Sequence, residues 1–225
     1  MLYRPTNIKM PTILLIDTAA AVATIGLAED GKILAIRHHE RAMEQAAVVN
    51  TLIEEVVTAA DRSLDHIDAV AVCAGPGSYT GLRVGLSMAK GLCFALDKPL
   101  MLFDRLSLIA LDFVATEDIA VILKARQGEY FAAFFNNKLE ALAIPKHYYE
   151  DELLQYLANF SGSIVTDNSP DDLFGTGINL DTNYRVEAEK WASWATARYT
   201  QGTFDDIAYS EPFYLKPAYT TQSKK

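Results

Sequence analysis

The run Gly75-Pro76-Gly77-Ser78-Tyr79-Thr80-Gly81-Leu82-Arg83-Val84-Gly85 holds the residue types from which an anion site is built, placed directly after the apolar run Ala69 to Ala74. It reads as strand, tight turn and helix. Glycine serves where φ is positive or where backbone approaches another group closely. Ser78 or Thr80 is placed to cap the following helix by accepting from its free N–H groups. Those N–H groups and the helix dipole together favour a bound anion. The candidate contacts here are Gly75, Gly77, Ser78 and Thr80. A purely structural strand-to-helix turn uses the same residues. A Walker loop needs a second glycine followed by lysine, but Thr80 stands at that glycine position and no lysine follows; Gly-x-Gly-x-x-Gly fails at the same residue. A nucleophile elbow around Ser78 needs glycines where Pro76 and Thr80 stand.

Metal chemistry finds little support. The histidines are His38, His39, His66 and His147. Adjacent residues on a strand point to opposite faces, so His38 and His39 do not share one ion. No His-Glu-x-x-His segment occurs, which removes a zinc-protease reading.

The elements that position the turn follow from period and punctuation. Thr12 to Ile16, Ala21 to Leu27 and Lys32 to His38 read as a strand meander, with Glu29-Asp30-Gly31 as a turn. A helical pattern spans 42 to 60, a strand 68 to 74, a helix 82 to 96 and a strand Pro99 to Phe103. The second half repeats the theme less clearly, with strands Ile119 to Lys124, Glu129 to Phe135 and Lys138 to Leu142. A helix Glu150 to Asn159, a strand Ser163 to Thr166 and a helix near 187 to 199 follow. Two mixed sheets flanked by helices are the implied α/β class. We divide the chain into an N-terminal extension 1–10, a first lobe 11–105 and a second, smaller lobe 106–225 with a C-terminal tail.

At 225 residues, half of them apolar, the chain suits one sizeable domain or two small ones. Its net charge of −9 and pI near 4.9 repel phosphate backbones, which argues against independent nucleic-acid binding. No apolar run approaches the roughly 18 residues of a membrane span. Residues 1 to 10 lack signal-peptide features, and Cys73 and Cys93 sit in apolar segments as expected of reduced, buried thiols, so a cytoplasmic protein is expected.

The helix over 42–60 carries an apolar arc of about half its circumference, wider than the roughly 100° a surface helix needs. The surplus suits either a second packed layer of the same chain or a partner. The helix over 82–96 confines its polar strip to Arg83, Ser87 and Lys90 and carries Gly85 and Gly91 in its interior. Each such glycine costs about 1 kcal/mol relative to alanine, a cost that accompanies close approach of backbone to a sheet or to another helix.

Together the 75–85 run, Ala89-Lys90-Gly91-Leu92, Leu14-Leu15-Ile16-Asp17-Thr18, Lys124-Ala125-Arg126-Gln127-Gly128-Glu129 and Pro212-Phe213-Tyr214-Leu215-Lys216 resemble the TsaB family over nearly the whole chain after Met10. That family is the non-catalytic scaffold subunit of bacterial tRNA threonylcarbamoyladenosine biosynthesis. The resemblance implies an actin-like/hexokinase-like (ribonuclease H-like) fold of two related lobes. It also implies a TsaD-type catalytic partner, a TsaE-type ATPase in the larger complex and a homodimer when alone, with tRNA met only through the complex. The first-half helices then form the pairing surface, and Ala46, Val49, Ile53, Val57, Arg83, Gly85, Met88, Ala89 and Leu92 are nominated for it.

Actin-like ATP-binding proteins hold phosphates with an acidic, glycine-containing turn after the first strand. Here that turn is Asp17-Thr18-Ala19-Ala20-Ala21, which keeps the acid and hydroxyl but not the glycine. Asp17 and Thr18 join the 75–81 turn as vestigial nucleotide contacts. Residues Gln45 and Val49 stand where TsaD-like proteins carry a His-x-x-x-His metal pair. No catalytic residue, metal or intrinsic cofactor is assigned, and ATP or ADP is expected only in complex with partners. A weak ATP-dependent small-molecule kinase is the alternative.

Overall fold

The computed structural model describes residues 10–40, 45–113, 116–167, 177–181 and 183–216. The N-terminal extension falls outside this set but for Met10, and of the interface candidate Ala46 only the helical backbone is described. The elements run β1 (Thr12–Asp17), β2 (Ala23–Glu29), β3 (Lys32–His39), α1 (Gln45–Ala59), β4 (Ala69–Gly75), α2 (Tyr79–Leu96), β5 (Leu100–Asp104) and α3 (Arg105–Phe113). They continue as β6 (Ile119–Arg126), β7 (Glu129–Phe135), β8 (Ala141–Tyr149), α4 (Glu150–Leu157), β9 (Ser163–Asp167), β10 (Ile178–Leu180) and α5 (Ala188–Thr200).

Two five-stranded sheets share one topology, β3-β2-β1-β4-β5 and β8-β7-β6-β9-β10. In each, the first strand pairs antiparallel with the second and parallel with the fourth. The two-residue period of a strand sends Leu14 and Ile16 to one face of the first sheet and Ile13 and Leu15 to the other. The Leu14 face packs under α1 and α2 through Val49, Ile53, Val56, Leu86, Ala89 and Cys93. The Ile13 face is covered by Trp191, Ala192 and Ala195 of α5. In the second sheet, Val121 and Leu123 pack on Leu106, Ile109 and Ala110 of α3, while Ile122 and Phe134 pack on the α4 side with Leu153.

Each lobe's closing helix therefore lies on the neighbouring sheet or between the two. Helix α5, from the second half of the chain, sits against the sheet of the first. The helix α3 is absent from the sequence reading. Its start is fixed by Asp104, whose carboxylate accepts from Ser107 N at 2.8 Å. Strand β8 starts three residues later than the Lys138 onset read from sequence. Residues 136–140 form a turn in which Asn136 Oδ1 accepts from Lys138 N and Glu140 N, and Leu139 takes φ +61°.

Candidate functional site: the inter-lobe cleft and the outer face of helix α2

The carboxyl ends of β1 and β4 face those of β6 and β9 across a cleft of about 470 Å³. Crevices at the carboxyl ends of strands are where open α/β sheets bind ligands. Its walls are Ala19, Ala20, Ala21, Pro76, Gly77 and Ser78 from the first lobe and Lys124, Ala125, Asp167 and Tyr184 from the second, with Arg105 between them.

The first-lobe turn uses its polar groups on itself. Asp17 is buried and its Oδ1 accepts from Ala19 N at 2.8 Å. Burial pushes the Asp17 carboxyl above its usual range, with the Arg105 charge opposing. The Thr18 hydroxyl is buried and donates to Gly81 O at 2.7 Å. Ser78 N donates to Ala19 O at 2.8 Å, and Ser78 Oγ accepts from Gly81 N at 3.2 Å as the N-cap of α2. A Cβ added to Gly77 would stand 2.3 Å from Ala19 O, so this glycine exists to let the two turns touch. Gly75 takes φ +113°, open to glycine at little cost, and lies beside Phe213 rather than in the cleft. Of the six nominated nucleotide contacts, Gly77 and Ser78 line the cleft, Asp17 and Thr18 sit behind it, and Gly75 and Thr80 lie outside its lining.

Of the remaining cleft groups, Arg105 and Tyr184 are ones that sequence reading did not mark, while Lys124 opens a motif quoted above. Arg105 opens α3 and lies close enough to Asp17 and Asp167 to oppose the rise of both carboxyls. Asp167 is raised chiefly by burial, and its Oδ1 accepts from Lys124 N at 2.6 Å. Tyr184 donates to Asp112 Oδ2 at 2.5 Å, and its own ionisation is pushed up by burial and by that carboxylate. Two cations, Arg105 and Lys124, and two carboxylates, Asp167 and Asp181, line the cleft, with Asp17 buried behind it. Among the described residues no group of three or more His, Cys, Asp or Glu side chains is placed to hold a metal ion. His38 and His39 end β3, where the His38 Nδ1 pairs with Thr24 Oγ1 at 3.0 Å.

The nominated pairing surface divides. Val49, Ile53, Val57, Gly85 and Ala89 face the chain's own sheet, and a Cβ on Gly85 would stand 2.3 Å from Thr18 Oγ1. These five are core positions, because the wide apolar arc of α1 is filled by the sheet and by α2. Gly85 is the close approach of helix to strand. Met88 and Leu92 are half-buried and Arg83 is exposed. Beyond them α2 presents Gly91, with nothing within 4 Å of its missing side chain, and Phe94, which is 84 % exposed. Tyr209, 86 % exposed, stands on the segment that lies along the same helix. An exposed Phe and Tyr beside a helix face are the apolar surface that sequence periodicity did not pick out.

A family model described as TsaD: tRNA N6-adenosine threonylcarbamoyltransferase matches residues 33–209, well over half of the chain. The chain belongs to this TsaD family. Its relatives include the tRNA threonylcarbamoyladenosine biosynthesis protein TsaB of Haemophilus influenzae, 28% identical over 91% of this chain and 83% of that protein. The TsaB of Escherichia coli K12 is likewise 28% identical, over 91% of this chain and 94% of that one. The tRNA N6-adenosine threonylcarbamoyltransferase of Staphylococcus carnosus is 46% identical, but over only 30% of this chain and 18% of the enzyme. Among solved structures, YeaZ from Pseudomonas aeruginosa superposes with a TM-score of 0.75 at 19% identity, covering 91% of this chain and all of that one. The ethanolamine utilization protein EutJ of Carboxydothermus hydrogenoformans gives 0.53 at 11% identity, covering 85% and 92%. At these identities the likeness concerns the fold, which is two-lobed and actin-like.

Proposed function

We propose that this chain is a TsaB-type accessory subunit of tRNA threonylcarbamoyladenosine biosynthesis. In this reading it pairs with a TsaD-type catalytic subunit and does no catalysis itself. The observation that carries it is the pattern of coverage. The chain matches TsaB proteins over 83% and 94% of their length but the S. carnosus transferase over 18%. The cleft supports the same reading, since Asp17, Thr18 and Ser78 already have partners within the chain. Self-association of the isolated chain, recruitment of a TsaE-type ATPase and a cytoplasmic location belong to the same proposal. Bound ATP or ADP would then require a partner, and tRNA would be met through the assembly.

The pairing surface we assign is the outer side of α2, with Arg83, Met88, Leu92, Gly91 and Phe94, flanked by α1. Size-exclusion chromatography with light scattering tests it, on the chain alone and mixed with the TsaD-type subunit of the same organism. Phe94→Asp and Gly91→Glu should abolish the heterodimer and leave the far-UV dichroism and unfolding midpoint of the chain near wild type. Undiminished pairing in both variants refutes the surface. Absence of a complex with the wild-type chain refutes the function.

A further inference from the structure

The segment after α5 crosses from one lobe to the other, and two basic residues of α2 hold it. Asp205 begins it at the sheet edge, with Asp205 N donating to Leu100 O at 2.9 Å and its carboxylate accepting from Leu102 N and Arg198. Lys90 Nζ donates to Ala208 O and Ser210 O, each at 3.1 Å. Phe213 N donates to Ala74 O at 2.8 Å at the end of β4. One residue on, Arg83 Nε donates to Tyr214 Oη at 2.9 Å while the guanidinium lies 4.0 Å from the Tyr79 ring centre. The segment then reaches the second lobe, where Lys216 pairs with Glu129 of β7, a carboxylate also 3.1 Å from His147. Beneath it lies a groove of about 570 Å³ walled by Gly75, Pro76 and Leu106 on one side and Ile144 and Pro145 on the other.

We propose that residues 205–216 are an inter-lobe strap, and that its clasp, Tyr214 on Arg83, couples the second lobe to a TsaD-type subunit docked on the outer face of α2. The coupling follows from what Arg83 holds. It is exposed, and the acceptor it uses is a phenol oxygen. A carboxylate binds a guanidinium through two parallel, charge-assisted bonds and is the stronger acceptor. A partner that presents an acidic side chain to this stretch of α2 therefore takes Arg83 from Tyr214. The strap then keeps Lys90 and Phe213 on the first lobe and loses the contact nearest the second. The coupling arm rests on the pairing surface proposed above; the strap itself does not.

Two measurements keep them apart. In the isolated chain, hydrogen exchange is compared between wild type, Tyr214→Phe and the double variant Tyr214→Phe/Lys216→Ala. We expect the Phe213 amide to exchange at least several-fold faster in the double variant, with amides inside β1 and β4 unchanged. Unchanged exchange at Phe213 overturns the strap. With the TsaD-type subunit, Tyr214→Phe removes the hydroxyl that competes for Arg83, so affinity rises by roughly two- to ten-fold, the factor one hydrogen bond sets. Arg83→Ala removes the clasp and the partner's anchor together and weakens binding. If both variants shift affinity in the same direction, or neither does, the coupling is refuted while the strap stands on the exchange result.

Discussion

Alanine at Gly85 and alanine at Gly91 are the same substitution in the same helix, and the structure assigns them opposite signs. A Cβ at Gly91 meets nothing within 4 Å, so Gly91→Ala gains the helix preference of alanine over glycine, about 0.5–1 kcal/mol. A Cβ at Gly85 falls 2.3 Å from Thr18 Oγ1, which is fully buried and donates to Gly81 O. To admit it, Thr18 must turn away or α2 must lift. Overpacking costs about 1–3 kcal/mol, and a buried hydroxyl or carbonyl left without its bond about 1–3 kcal/mol more. Against a propensity gain of about 1 kcal/mol, Gly85→Ala should lose about 1–5 kcal/mol. Urea unfolding followed by circular dichroism at low protein concentration reads both variants on one scale. The pair Thr18→Ala/Gly85→Ala tests the cause, because removing Oγ1 makes room for the new methyl. The double variant should be more stable than the sum of the single losses implies, by about 1 kcal/mol or more. A Gly85→Ala chain as stable as wild type, or strict additivity in the cycle, would falsify the close helix-to-strand contact.

Three further outcomes follow from burial around the cleft and in the core. Because burial raises the Asp17 carboxyl, the folded chain holds that proton more tightly than the unfolded chain, and the stability tied to it is lost as pH rises above the ordinary carboxyl value of 3.8 through the folded value. Asp17→Asn should therefore be more stable than wild type at pH 7 and equal to it below pH 3.8, in thermal melts taken across that range. Cys73 and Cys93 are both buried with thiol ionisation pushed up, Cys93 to about 11. Neither should react with Ellman's reagent at pH 8 in the native chain, and both should after denaturation; fast native labelling would contradict the packing of β4 against α2. Calorimetry of the isolated chain with millimolar ATP should give no binding heat, and a saturable isotherm would restore the kinase alternative.

The strands of the first sheet were legible where β1, β2 and β4 are short apolar runs closed by Asp17, Gly31 and Gly75. The face presented by α2 was not. Small residues on a helix signal close approach, but the sequence does not say to what, and Gly85 turned out to touch Thr18 of its own chain. Helix α3 was hidden because Leu106-Ser107-Leu108-Ile109-Ala110-Leu111 is nearly all apolar, buried against both lobes, and lacks the polar face that shows a period. Its one local sign is Asp104 three residues before Ser107, a capping pair. Arg105 was lost with it. Cleft residues from α3 and from the stretch after β10, such as Tyr184, come together only through the crossing of the chain between lobes, which no local pattern encodes.

That crossing constrains how the polypeptide matures during synthesis. Ile13 and Leu15 emerge from the ribosome well before Trp191, Ala192 and Ala195, which cover them. Until α5 has been made, the first lobe is a sheet with one greasy side bare, the kind of surface that aggregates or recruits chaperones. Expression of residues 10–105 by themselves should thus yield an insoluble or chaperone-bound fragment, and α5 acts as the seal that makes the folded molecule a free one.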